Sequence, residues 1–384
     1  MTLPRLRVDV DLDAVRDNVR RAGELVGEAE VMAVVKADGY GHGAHRIART
    51  ALDSGAACLG VAFVEEGLRL RESIRDEPVV VLTDPLPGEE PDAVAHGLTP
   101  TVSGEDSVRR VAAAADRLGR DTAVHLKIDT GLHRLGADPD EAGRVAALAV
   151  ELGLRVEGVW THFATADDPH SSFADTQLDR FHRALDDLRA LGVRPRYRHA
   201  AGSAAAMARP AARLDLVRLG AVLYGIRPGP AVPHLDGFRP ALSWRSTVVA
   251  IRRADKGERV GYGLKYRLET ATTLAVVPVG FADGLPRLLG NRGQVIVGGG
   301  RRRIAGAVAM SHVVIDCADD PVAVGDEVVL LGAGQGTEIS AEEFAQWSGS
   351  SVYETVTRIS STVPRRYLGT SREDAKGETD GPVR

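Results

Sequence analysis

A chain of 384 residues with a formal net charge of −5, 26% charged and 44% hydrophobic residues is long enough for two or three domains of about 150 residues and for a sizeable core. Near-balanced acids and bases exclude a mainly disordered chain and a basic nucleic-acid binder. No apolar run approaches the roughly 18 residues of a membrane span, and the start lacks the apolar stretch of a secretory signal, so the expectation is a cytoplasmic protein without nucleic-acid or membrane partners. Two distant cysteines, Cys58 and Cys317, are expected to be reduced and buried.

In chain order, Leu12, Val15, Val19, Ala22 and Val26 keep a three-to-four spacing behind Asp11 and Asp13, which predicts an amphipathic opening helix. Eight short apolar runs follow, at 31–36, 57–62, 78–82, 98–102, 123–128, 156–162, 196–200 and 215–219. Between them lie segments of helical character at 43–53, 65–75, 105–118, 139–152 and 175–191. Eight strand–helix units in sequence predict an α/β fold of the TIM-type (β/α)8 barrel rather than an open doubly wound sheet. From about Ala241 the pattern changes to Val-rich runs separated by Gly, at 247–252, 272–278, 295–297, 313–316 and 327–331, with one helix signalled by the capping box Ser340-Ala341-Glu342-Glu343. The expected organisation is a barrel over 1–240, a mainly β domain over 241–369, and a flexible polar tail over 370–384.

Basic residues are almost all arginine, and the only lysines are Lys36, Lys127, Lys256, Lys265 and Lys376. A nucleophilic amine, which arginine cannot supply, must therefore come from these five. Barrel active sites form at the carboxyl ends of strands. There, Lys36 closes the first run and leads into Ala37-Asp38-Gly39-Tyr40-Gly41-His42-Gly43, which favours a Schiff-base lysine over an ion pair with Asp38. After the seventh run comes His199-Ala200-Ala201-Gly202-Ser203, and after the eighth Arg218-Leu219-Gly220-Ala221, small residues where barrels bind phosphate. A lysine with a phosphate cradle points to pyridoxal phosphate.

These residues resemble the alanine racemases, fold-type III pyridoxal-phosphate enzymes, from about Asp9 to Tyr367. The resemblance rests on Ala33–Gly43, on Lys127-Ile128-Asp129-Thr130-Gly131 leading to Arg134-Leu135-Gly136, and on Thr161-His162-Phe163-Ala164. It continues through Arg218 with Leu223-Tyr224-Gly225, Gly261-Tyr262-Gly263, Ala282-Asp283-Gly284 and the ordered run from Tyr353-Glu354 to Val363-Pro364-Arg365. It implies amino-acid racemisation, most directly of alanine, by two bases: Lys36, which also holds pyridoxal 5′-phosphate, and Tyr262 of the other subunit of a homodimer. Two bases on opposite faces of the α-carbon are a physical requirement, because a single rigid base returns the proton to the face it left. A phenol is a poor base at neutral pH, and the resemblance gives Arg134 and the His162–Arg218 pair as its support.

The resemblance further implies that Arg218 contacts the pyridine nitrogen, that Tyr40, Ser203, Gly220, Ala221 and Tyr353 hold the phosphate, and that Arg134 and the Met310 N–H receive the substrate carboxylate. In some relatives the lysine matching Lys127 is carbamylated and orients that arginine. The resemblance implies supply of D-alanine, for the cell wall or for a specialised pathway. Three positions depart from the family pattern: Phe281 replaces a tyrosine, Gly202 an asparagine, and Ala309-Met310-Ser311-His312 a Cys-Met-Asp-Gln stretch. They keep open a paralogue acting on another small amino acid such as serine, and a non-catalytic cofactor carrier. A decarboxylase ranks lower, because Asp316-Cys317-Ala318-Asp319-Asp320 does not match the cysteine and aspartate motif of that chemistry.

Weaker motifs have plainer readings. His42 and His45 lack further ligands at metal spacing, so no metal is expected. Gly332-Ala333-Gly334-Gln335-Gly336 reads as a turn, and Arg301-Arg302-Arg303 as a solvated loop.

Overall fold

The computed structural model describes residues 4–233 and 235–369, so the expected tail over 370–384 lies outside the described residues. The chain divides into two compact units, one formed by residues 15–239 and the other by the first 14 residues together with those from 240 onward.

This division moves the start of the chain. The first strand, β1 (Leu6–Asp11), belongs to the β unit and not to the barrel expected over 1–240. Its sequence Leu-Arg-Val-Asp-Val-Asp alternates apolar and polar with period two, and Leu6, Val8 and Val10 are buried. Arg7 and Asp9 are buried too, because they are ion-paired. Asp9 takes Arg366 through both carboxylate oxygens at 2.8 and 2.9 Å and also meets Arg7 at 3.2 Å and Arg245 at 3.3 Å.

The barrel strands are β2 (Glu30–Val34), β3 (Cys58–Val61), β4 (Val79–Val81), β5 (Thr99–Val102), β6 (Ala123–Lys127), β7 (Arg155–Trp160), β8 (Tyr197–His199) and β9 (Leu216–Leu219). They fall on the eight predicted runs, because strands buried on both faces read as unbroken apolar stretches. The sheet runs β8-β7-β6-β5-β4-β3-β2-β9, with its pairs parallel. A parallel bridge between Gly202 and Arg218, with the Arg218 N–H donating to the Ala201 carbonyl at 2.9 Å, links β8 to β9 and closes the ring. Met32, Cys58, Val80 and Leu216 pack together with Leu82 and Tyr197 against them. Helices at Leu12–Val26, Ala44–Asp53, Glu105–Leu118, Ala142–Glu151 and Phe173–Ala190 match the predicted segments within a few residues.

The β unit holds β10 (Leu242–Thr247), β11 (Ala250–Ala254), β12 (Arg259–Val260), β13 (Tyr266–Arg267), β14 (Thr272–Val277), β15 (Gln294–Val297), β16 (Gly300–Ala305), β17 (Val313–Asp316), β18 (Glu327–Gly334), β19 (Thr337–Ile339) and β20 (Arg365–Leu368). One sheet runs β11-β14-β17-β16-β15-β18-β10-β1-β20, with β19 on β18, while β12 and β13 form a separate hairpin. Ser340 caps its helix as predicted, its hydroxyl accepting the Glu343 N–H at 3.2 Å. A second helix, Val352–Thr357, follows. Arg301–Arg303 is not a loop but part of β16, where Arg301 pairs with Glu343 at 2.8 Å and lies over Trp347. Of the expected turn at Gly332–Gly336, Gly332–Gly334 are the paired end of β18 and only Gln335 and Gly336 make the turn into β19.

Removing Asp9 leaves three guanidinium groups without their shared carboxylate. Asp9→Ala is expected to cost about 3 kcal/mol of stability, measured by denaturant unfolding, and a loss below about 1 kcal/mol would contradict the role given to this cluster.

Candidate active site

Lys36 follows β2, and the backbone beyond it turns the wrong way for L-residues. Ala37 and Asp38 have φ of 51°, and Tyr40 has φ of 54°. Each such residue costs about 1–2 kcal/mol, so the turn must be held from outside. Glu66 does this by accepting the Ala37 N–H through one oxygen and the Ala62 N–H through the other, both at 2.7 Å. Asp38 caps the next helix by accepting the Ala44 N–H at 2.8 Å, rather than serving as the partner of Lys36. Burial and the charge of Arg134 push the Lys36 amine below its ordinary value, against an opposing pull from Glu66.

Arg134 stands on a loop after β6 that is pinned at its base. Asp129 accepts the N–H groups of Gly131, Leu132 and His133 at 2.9–3.1 Å. Gly136, at φ 132°, lies so close that a Cβ there would be 2.5 Å from the Asp129 nitrogen. The loop thus presents an exposed arginine from a fixed frame.

Arg218 on β9 is the electrostatic centre of the barrel. It is buried, and its partners are all acceptors: Nδ1 of His199 at 2.9 Å, Nδ1 of His162 at 3.1 Å, and the carbonyls of Thr161, His199 and Ala200 at 2.7–3.0 Å. Both imidazoles must then be neutral and carry their proton on Nε2. Burial and the charge of Arg218 agree, holding His162 and His199 well below the ordinary histidine range. Burial and Arg134 bring Arg218 itself down to about 9, which leaves it charged at neutral pH.

Trp160 lies beneath two cations, with Arg218 Cζ 4.6 Å and Lys127 Nζ 4.3 Å from ring centroids. Burial, then Arg134 and Arg218, lower the Lys127 amine to about 8. Gln177, wholly buried, holds the segment after β7: it accepts the Ala164 N–H at 2.8 Å and donates to the His162 carbonyl at 3.1 Å.

The small-residue segment after β8 and β9 forms a cradle. Ser203 Oγ accepts the Gly220 N–H at 3.1 Å, and Tyr40 Oη lies 2.3 Å from where a Cβ on Gly220 would stand. No side chain fits at Gly220 while Tyr40 keeps this place. Gly202 lies close to the His162 ring, whose Cε1 would be 3.2 Å from an added Cβ.

The barrel therefore brings together Lys36, Tyr40, Ser203, Gly220 and Ala221 at its strand ends, with His162 on Arg218 and the Arg134 charge acting on Lys36 and His162. Tyr262, Met310 and Tyr353 belong to the β unit. Tyr262 tips the β12–β13 hairpin, whose Val260 carbonyl would be 2.7 Å from a Cβ on Gly306. Met310 neighbours Phe281, since the Ala282 N–H donates to the Met310 carbonyl at 3.0 Å and the Phe281 N–H to Ala309 at 3.0 Å. Tyr353 lies half-buried on the helix Val352–Thr357. His42 turns Nδ1 to the Tyr40 carbonyl and His45 turns Nδ1 to Ser73, and no cluster of metal-binding side chains occurs among the described residues. Cys58 and Cys317 are buried free thiols, and no described helix is long and apolar enough to cross a membrane.

Sequence reasoning passed over Glu66, Trp160, Gln177 and His199 as site-building residues. His199 carried a signal, a histidine ending an apolar run in the same ring as Arg218. Gln177 sits in the middle of a helix and carried none.

A barrel with a half-buried lysine after its first strand, a guanidinium on its last and a close-fitting cradle between them defines a pyridoxal-phosphate barrel enzyme. The donor chemistry fits that cofactor: an amine for its aldehyde, a cradle of hydroxyls and backbone for its phosphate, and Arg218 for its ring nitrogen. Known proteins agree. The alanine racemase N-terminal domain family matches residues 10–228 and the C-terminal domain family residues 241–367. The alanine racemase of Symbiobacterium thermophilum is 42% identical over 94% of this chain and 96% of that relative, and that of Frankia casuarinae is 44% identical over 94% and 95%. The solved alanine racemase from D-cycloserine-producing Streptomyces lavendulae, 40% identical, covers 97% of this chain and 99% of its own with a TM-score of 0.93. The chain belongs to the alanine racemase family, and its cofactor is pyridoxal 5′-phosphate.

Two outcomes follow from the charges. Histidines held neutral by folding take up protons on unfolding, so stability falls as pH drops below about 6.5, by up to about 1.4 kcal/mol per pH unit for each of His162 and His199. Denaturant midpoints at pH 7.5, 6.5 and 5.5 should fall in that order, and a flat series would contradict neutral imidazoles. For Lys36, Arg134→Leu should raise the amine's pKa and Glu66→Gln should lower it, read from the pH dependence of amine modification in cofactor-stripped protein. Shifts in the same direction would contradict the assigned field.

Proposed function

We propose that this enzyme interconverts L- and D-alanine with Lys36 on one face of the α-carbon and Tyr262 of the partner subunit on the other, in a homodimer with shared active sites. Pyridoxal phosphate, when bound, supplies an electron sink that makes the α-proton acidic. Lys36, with its amine lowered from its ordinary value by burial and Arg134, is the better suited to exchange a proton. Arg134 and the Met310 N–H receive the substrate carboxylate. Arg218 faces the ring nitrogen, and Tyr40, Ser203, Gly220, Ala221 and Tyr353 hold the phosphate. An arginine donates a hydrogen bond without giving up its proton, so charge on the substrate carbon is stabilised only partly and side reactions stay slow. The lowered Lys127 amine suits carbamylation, which needs the neutral form.

The observation that carries the two-subunit reading is the placement of Tyr262. It is 78% exposed, yet its hairpin is clamped on Gly306, the arrangement of a side chain held out for something beyond its own unit. Met310 and Phe281 are exposed on the same unit. The likeness to alanine racemases at 42% and 44% identity favours alanine over serine as the substrate. The enzyme acts in the cytoplasm and supplies D-alanine for the cell wall.

Lys36→Ala and Tyr262→Phe should each abolish racemisation when purified alone. Mixed under conditions that exchange subunits, they should regain a fraction of the wild-type rate, because one site of each mixed dimer holds both groups. A mixture that forms mixed dimers and stays inactive would contradict sharing across the dimer.

A further inference from the structure

The guanidinium of Arg218 has no carboxylate among the partners described above, and its charge is led away along a file of imidazoles. With Arg218 donating to Nδ1 of His199, the remaining proton of His199 must sit on Nε2, and that atom lies 3.1 Å from Nδ1 of His125. His125 then accepts there and must carry its own proton on Nε2. That atom is buried without a protein acceptor at hydrogen-bonding distance, and the nearest charged atom it faces is Glu157 Oε2, 3.9 Å away. A small side-chain adjustment or one bridging water spans such a gap.

Two local features show that this end of the file is built. The pairing of β6 with β7 slips between Val124 and His125, whose partners are Val156 and Gly158, so Glu157 is the extra residue of a bulge. Bulges re-aim side chains next to active sites. Beside it, Gly158 makes room for the ring, since a Cβ there would be 2.6 Å from His125 Nδ1 and Cε1. Glu157 is kept ionised by His125 and by Arg155 at 2.7 Å. Glu30, Arg196 and Cys58 also face this end of the barrel.

We infer that His199, His125 and Glu157 are positioning residues for Arg218: an ordered file of Nε2–H tautomers, ended by a carboxylate on a β-bulge, that fixes the guanidinium where the cofactor ring nitrogen meets it. The link to catalysis rests on the assignment of Arg218 to that nitrogen, while the file itself does not. Neither the family motifs nor the substrate groups include His125 or Glu157.

The test uses cofactor-loaded protein labelled with nitrogen-15 in its histidines, the His125 signals being assigned by comparison with His125→Asn. Between pH 6 and 8, wild-type His125 and His199 should both be neutral with the proton on Nε2. Glu157→Leu should shift or broaden the His125 signals, lower kcat about tenfold with KM within about twofold, and move the cofactor absorbance. Glu157→Gln, which keeps an acceptor, should restore all three. An Nδ1–H tautomer at either histidine in the wild type overturns the file, whether or not any variant folds. A Glu157→Leu protein with wild-type signals and rate overturns it too, as does lost activity with unchanged imidazole signals. Absence of racemisation in the wild type would count against the proposed function alone, because the tautomers are read without turnover.

Discussion

Everything at the centre of the barrel follows from burying one guanidinium. Arg218 cannot shed its charge at neutral pH, so five acceptors surround it and two histidines give up their ability to be protonated. Each histidine so fixed constrains the next group. The His125 ring leaves no room for a side chain at 158, and Trp160 lies under the cations of both Arg218 and Lys127. The low dielectric that makes an unpaired charge costly also makes the resulting network stiff. Under the proposed contact between Arg218 and the cofactor ring nitrogen, stiffness there is the useful property.

The loops around this centre are strained in the same service. A left-handed turn after Lys36 is tied by Glu66 and Asp38, and the Arg134 loop is tied by Asp129 and a glycine that no other residue could replace without collision. Burial and the charge of Arg134 together lower the Lys36 amine from its ordinary value. The β unit follows a different logic. Its buried ion cluster around Asp9 stitches the first strand between β10 and β20, and its hairpins hold Tyr262, Phe281 and Met310 outward.

The barrel was legible because parallel strands buried on both faces leave unbroken apolar runs, and the lysine stood out because arginine had taken almost every other basic position. The β unit was less legible. β1 carries a full period-two alternation, but it is short and runs directly into an amphipathic helix whose stronger pattern masks it. β16 was hidden by Arg301–Arg303, whose charge is satisfied by side chains far away in sequence, such as Glu343. Lys36 and Arg218 are marked by strand position, whereas Arg134 and His162 are marked only by the family resemblance. Their supports, Glu66, Gln177, His125 and Glu157, act through contacts across strands and a bulge, which no local pattern encodes.

The central claim is that two bases on opposite faces move one proton while Arg218 holds back competing chemistry. Incubating the cofactor-loaded wild-type protein with L-alanine in D2O, then separating enantiomers and weighing them, tests this most directly. The account predicts D-alanine carrying deuterium at the α-carbon, with conversion of the cofactor to its aminated form far slower than inversion. Deuterium incorporated into L-alanine alone would leave one base working without an opposing one, and cofactor amination as fast as inversion would contradict the role given to Arg218.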